Sequence, residues 1–222
     1  MTSPTHLLIG IGITLMVTGP LRDAWAGSHK RAPWSALLSA TLACAMLLFF
    51  DEATHPFLAQ WASDAYPRLM LPESAEQIGT IEIVIWAALT AGCVLPLVAR
   101  FELPFGALAL VLGVTGALTT LIVAPQPVIV VGVIGGLVGD ELLRAMRPTR
   151  ARTAQLRVFA FLVPAVMTGT YFFIVSAAGG LWWPATVWTG CIVASGISGL
   201  LVSLLVVPKA PAVIATTIPV SM

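Results

Sequence analysis

The stretch DELLRAMRPTRARTAQLR (residues 140–157) is the one densely charged segment of an otherwise apolar chain. It carries Arg144, Arg147, Arg150, Arg152 and Arg157, five of the 11 basic residues. An apolar run long enough to cross a bilayer lies on each side of it. Short loops rich in Arg and Lys stay on the cytoplasmic side of a membrane, so this loop sets the orientation of every other segment.

Composition sets the class. Hydrophobic residues make up 58% of the 222, charged residues 9%, and the mean hydropathy is +0.97. Soluble domains carry roughly 25% charged residues, and a soluble fold of this length has too little interior for so much apolar surface. The expected fold class is all-α, a polytopic transmembrane helical bundle whose first partner is the lipid bilayer. No basic face interleaved with aromatics is present, so nucleic acid is not an expected partner. Cys44, Cys93 and Cys191 fall inside apolar runs with no metal or redox spacing, and read as small buried hydrophobes. Residues 1–6 carry no basic n-region, and no clear cleavage site follows, so a cleaved signal is not expected.

A transmembrane helix needs about 20 mainly apolar residues. Seven segments qualify, at about residues 5–25, 33–50, 75–99, 104–124, 127–145, 155–178 and 184–207. The first is the weakest, because Pro20 and Arg22 interrupt its inner end. With the 140–157 loop inside, the inner segments also hold Arg22, Lys30, Arg31, Arg100 and Lys209. Ten of the 11 basic residues then share one side and only Arg68 lies on the other. The expected topology is N-terminus out and C-terminus in, in a bacterial-type inner (cytoplasmic) membrane. Residues 1–207 form a single seven-span domain and 208–222 a cytoplasmic tail. Trp25 and Trp34 fall at the inner boundary, and Trp61, Tyr66, Trp182 and Trp183 at the outer one, where amphipathic rings concentrate. The outer segment 56–77 reads as an interfacial helix with Phe57, Leu58, Trp61 and Ala65 on one face. Ser74 to Gln77 then read as a capping box opening the third span.

Helices associate in lipid through small residues rather than through the hydrophobic effect. Gly132, Gly135, Gly136 and Gly139 supply small-xxx-small pairs in the fifth span, and Ser195 with Gly199 does so in the seventh. These faces dock either within the bundle or against another subunit.

Candidate chemistry is sparse. If the second span runs on to His55, Asp51 and His55 share a face at i and i+4, and Glu52 reaches His55 at i+3. Two hard oxygens and an imidazole on one turn suit copper, zinc or iron. His6 and Glu82 fall on the same side of the membrane, so Asp51, Glu52, His55, His6 and Glu82 form a candidate metal set, set against acids that merely mark a membrane exit. A carboxylate within a span is a functional candidate by default, although Glu82 is near enough to the interface to snorkel to water. Asp140 and Glu141 read as an interfacial ion pair with Arg144. Pro96 and Pro164 each free a backbone carbonyl within a span. Phosphate-binding, nucleophile-elbow and dinucleotide motifs do not occur.

Arg100-Phe101-Glu102-Leu103-Pro104-Phe105-Gly106-Ala107, opening the fourth span, with Asp140 near the end of the fifth, resembles the A subunit of copper membrane monooxygenases. The resemblance covers spans three to six. It implies a seven-span non-catalytic or accessory subunit of a multi-subunit membrane complex, with copper as the implied cofactor and other membrane subunits as partners. In that family the membrane copper ligands belong to a different subunit, as an Asp-x-x-x-His pair with a second His further on. Asp51 and His55 match the pair, but the second position, 68, is Arg. From the residues alone two other functions stay open: a small transporter or channel using Glu82 and the proline kinks, and a metal-binding membrane protein centred on His55. A lone catalytic chain is not expected.

Overall fold

The structure, a computed structural model, describes residues 4–50, 56, 60–64, 71–121 and 129–208. Among them it is all-helical apart from isolated bridges. The helices are α1 (Pro4–Val17), α2 (Gly19–Ala26), α3 (Trp34–Phe50), α4 (Pro72–Arg100), α5 (Ala107–Leu121), α6 (Ile129–Met146), α7 (Thr153–Gly179) and α8 (Ala185–Val206). Three of them, α4, α7 and α8, are long and apolar enough to cross a membrane, and the bent pair α1–α2 makes a fourth if its two helices form one span. The described residues thus hold three to four candidate membrane spans. Helices α3 and α5 are apolar but shorter, and residues 122–128, which adjoin α5, lie outside the described set. Helix α6 carries Asp140, Glu141 and Arg144 in its last turns.

Why these elements pack as they do follows from small side chains and a few hydroxyls. Helix α5 lies along α6, α7 along α8, and α4 sits against α8, α7 and α3. A Cβ on Gly132 would collide with the carbonyl of Leu112, and one on Gly136 would lie 2.5 Å from the Ala109 Cα. Gly135 faces Met167 of α7, and Gly139 faces Leu108. In α8, Gly199 lies against the Ala160 carbonyl and the Pro164 ring, the very carbonyl that Pro164 leaves without its helical donor. Thr168 of α7 donates to Ser195 of α8 at 2.9 Å in the buried seam. The perimeter is apolar, with Met16 79% and Leu205 81% exposed, as befits helices that face acyl chains.

Helices α1 and α2 meet at 44°. Pro20 cannot donate to the preceding turn and its ring crowds that turn, so the helix breaks there. The break also parts the pair that would close the next helical bond, Leu21 N–H and Val17 C=O. Ser39, buried on α3, enters the gap: its hydroxyl accepts from Leu21 N–H at 3.2 Å and donates to the Val17 carbonyl. One side chain thus satisfies both orphaned groups and ties the bent pair to the bundle. Ser39→Ala is expected to lower stability by about 1–3 kcal/mol, the cost of leaving buried backbone groups unpaired, measured as the shift of a denaturant-unfolding midpoint in detergent.

Two local expectations change. Helix α4 opens at Pro72 with Leu71 at the N-cap and no side-chain cap, so the capping box at Ser74 is not formed. Proline at the first helical position needs no donor and presets the backbone angle, which starts the helix ahead of Ser74. Trp61 lies in a turn, residues 61–64, and not on a helix. Phe57, Leu58, Ala65 and Tyr66 of the expected interfacial segment lie outside the described residues.

Candidate functional site

At one end of the bundle the turn holding Trp61 is stitched to the α7–α8 connection. Ser63 and Leu181 form an antiparallel bridge, Asp64 N–H donates to Gly180 C=O at 3.1 Å, and Trp182 N–H donates to Ala62 C=O at 3.2 Å. The Trp182 indole adds a 2.7 Å bond to the Trp61 carbonyl. Gly180 makes this possible: at φ +84 it ends α7 in a conformation that side chains resist, and a Cβ there would press on Asp64. Trp183 is buried rather than set in an interfacial belt, since Gly79 of α4 leaves room for its ring and Phe172 packs at 5.8 Å.

Beneath this lid sits Glu82, only 2% exposed. Ten residues into α4 puts it about 15 Å from the helix start at 1.5 Å per residue. Its Oε2 accepts from the Trp61 indole N–H at 2.8 Å. A buried carboxylate costs several kcal/mol unless donors surround it, so the bond both stabilises Glu82 and fixes the lid. Glu82 does not snorkel to water. It anchors the Trp61 turn from within.

The other carboxylate buried among the described residues, Asp140, lies at the opposite end and is 1% exposed. It makes no ion pair with Arg144. Its two oxygens accept from the N–H groups of Leu108 (3.1 Å) and Ala109 (3.0 Å), capping α5 from another helix. Glu141 alone meets Arg144, at 3.5 Å, with both side chains mostly exposed. The stretch 100–107 belongs to the same device. Arg100 donates to the carbonyls of His29, Trp25 and Gly27, which pins the α2–α3 connection to the end of α4. Pro104 and Gly106, the latter at φ +88, then turn the chain into α5.

No protein-family model, curated protein or solved structure matches this chain.

The candidate metal set is not assembled among the described residues. Asp51, Glu52 and His55 lie outside them, and His6 is placed on α1 with nothing described of its side chain. Glu82 is described, engaged by Trp61, and no three of His, Cys, Asp and Glu come together among the described residues as a metal site requires. Sequence reasoning missed the partners of Glu82 and Asp140, which lie 21 and about 31 residues away in the chain. It also missed Ser39, whose hydroxyl reads as one more small residue in an apolar helix.

Proposed function

We propose that the chain is an integral membrane protein with seven crossings, N-terminus outside and C-terminus in the cytoplasm of a bacterial-type inner membrane. It works there as a non-catalytic or accessory subunit of a multi-subunit complex. The observation that carries this reading is the use made of the two carboxylates buried among the described residues: Glu82 holds the Trp61 turn and Asp140 caps α5. Both act on the fold. The orientation is supported by contacts that gather Lys30, Arg100, Arg147 and Arg152 around one cleft, at the end opposite the Trp61 turn. In this reading a metal such as copper belongs to a partner subunit, as the resemblance of residues 100–107 and Asp140 implies.

Native mass spectrometry of gently solubilised source membrane, with elemental analysis of the same sample, tests it. Stable co-purifying chains are expected; a lone, metal-free species would overturn the subunit reading. One observation favours a second reading, transport. Glu82, Trp86 and Thr90 stand at i, i+4 and i+8 on the buried face of α4, and the Thr90 hydroxyl has no partner among the described residues. Transport predicts a lone chain whose solute flux in proteoliposomes falls on Glu82→Gln.

A further inference from the structure

At the end of the bundle opposite the Trp61 turn, three connections that are far apart in sequence enclose a cleft of about 550 Å³. Its walls carry Lys30 from the α2–α3 connection, Arg100 from the end of α4, and Arg147 and Arg152 from the α6–α7 connection. Glu102 is the one carboxylate on the lining, so the formal balance is four cations against one anion, or +3. That carboxylate also faces Arg31, at 3.9 Å across an isolated bridge. Val98, Leu103 and Leu143 line the cleft beside these charges, which makes it amphipathic. Its volume falls within the roughly 300–1,000 Å³ range of ligand sites.

Three features go beyond a solvated basic loop. Arg100 is held in place by three backbone carbonyls, so its charge is fixed on the cleft wall and not free to swing into water. Arg147 has φ +47, the one non-glycine residue in the left-handed region among those described. Such strain costs of order 1 kcal/mol or more and persists only where the surroundings impose it. Arg152 is the N-cap of the 27-residue α7, and no side chain caps that end. The start of a long helix therefore opens beside the cations, adding partial positive charge.

We infer that this cleft binds a phosphoryl anion, held by Arg147, Arg152 and Lys30 against the fixed charge of Arg100. Guanidinium forks match the geometry of phosphate oxygens, and an amphipathic basic pocket between helices on the cytoplasmic side suits a phospholipid headgroup with its glycerol on the apolar wall. The same chemistry would take a soluble phosphate ester. Placement at the inner leaflet rests on the proposed orientation; binding of the phosphoryl group does not.

The test uses the full chain purified in a non-ionic detergent, titrated calorimetrically with short-chain phosphatidylglycerol, short-chain phosphatidylcholine and inorganic phosphate. The variant Arg147→Asn/Arg152→Gln removes two charges, and asparagine tolerates the left-handed backbone at position 147. Arg150→Gln, in the same loop but off the cleft lining, is the control. Saturable binding of phosphatidylglycerol, weakened on the order of tenfold or more in the double variant and about twofold or less in the control, is expected. If phosphate binds and loses affinity in the same pattern while phosphatidylglycerol does not bind, the phosphoryl site stands and its ligand is soluble. Equal binding of phosphatidylcholine that the double variant leaves unchanged overturns the inference, as does undiminished binding of phosphatidylglycerol in a double variant whose thermal unfolding matches the parent. So does an absence of binding to any of the three probes.

Discussion

Asp140→Ala is expected to be among the most damaging single substitutions in the chain, with a loss of roughly 3 kcal/mol. The first four N–H groups of any helix have no partner within it. In α5 all four are accounted for. Ala107 N–H donates to Pro104 C=O at 3.1 Å and Leu110 N–H to Gly106 C=O at 2.9 Å, while Leu108 and Ala109 donate to the Asp140 carboxylate. Removing the carboxylate strands two N–H groups where Leu108 is fully buried, and water reaches them poorly. It also removes a negative charge from the positive end of the α5 dipole. Asp140→Asn keeps an acceptor but loses the charge and one of the two oxygens, so an intermediate loss is expected. Glu141→Gln breaks an exposed ion pair and is expected to cost less than about 1 kcal/mol. Chemical unfolding of the three variants in one detergent orders them. If Asp140→Ala and Glu141→Gln prove equally mild, the cap is not what holds α5 to α6.

How much of this is legible in the sequence depends on how far each partner lies along the chain. The class follows from composition, and the basic 140–157 loop foretells the charge gathered at one end. The small residues of α6 and α8 are visible as small residues, but their partners are not. In a lipid-facing bundle the inner and outer faces of a helix are equally apolar, so periodicity does not reveal which face is buried. Glu82 stands out because an acid inside a span is rare. Its partner does not, since Trp61 reads as part of the apolar face of a helix and instead directs its indole N–H inward from a turn. Asp140 misleads for a related reason: Arg144, four residues on, offers a local partner, whereas the real donors belong to the start of another helix. The Arg100 to Ala107 stretch, which carries the resemblance to a copper monooxygenase subunit, has a structural role in its own right. Such a sequence sets a fixed arginine, a turn and a capped helix start, and those needs do not depend on chemistry at a metal.

Gly136→Val should match or exceed the loss at Asp140, because it acts on the same junction from one turn away. A Cβ on Gly136 would lie 2.5 Å from Ala109 Cα, 2.6 Å from Leu108 O and 2.7 Å from Ala109 N. All three are backbone atoms, so no rotamer change relieves the contact and α6 must move off α5. Overpacking a core costs about 1–3 kcal/mol where neighbours can shift. Here the shift also withdraws Asp140, on the same helix face at i+4, from the two N–H groups it caps. The two losses share one cause and should not add. A double-mutant cycle with Asp140→Ala is expected to show a coupling of about 1 kcal/mol or more, against near-additivity for well-separated sites. Gly12, where an added Cβ would meet nothing within 4 Å, is the matched control: Gly12→Ala on lipid-exposed α1 should leave the unfolding midpoint unchanged or slightly raised. Full additivity of Gly136→Val with Asp140→Ala would show that the helix crossing and the cap are independent.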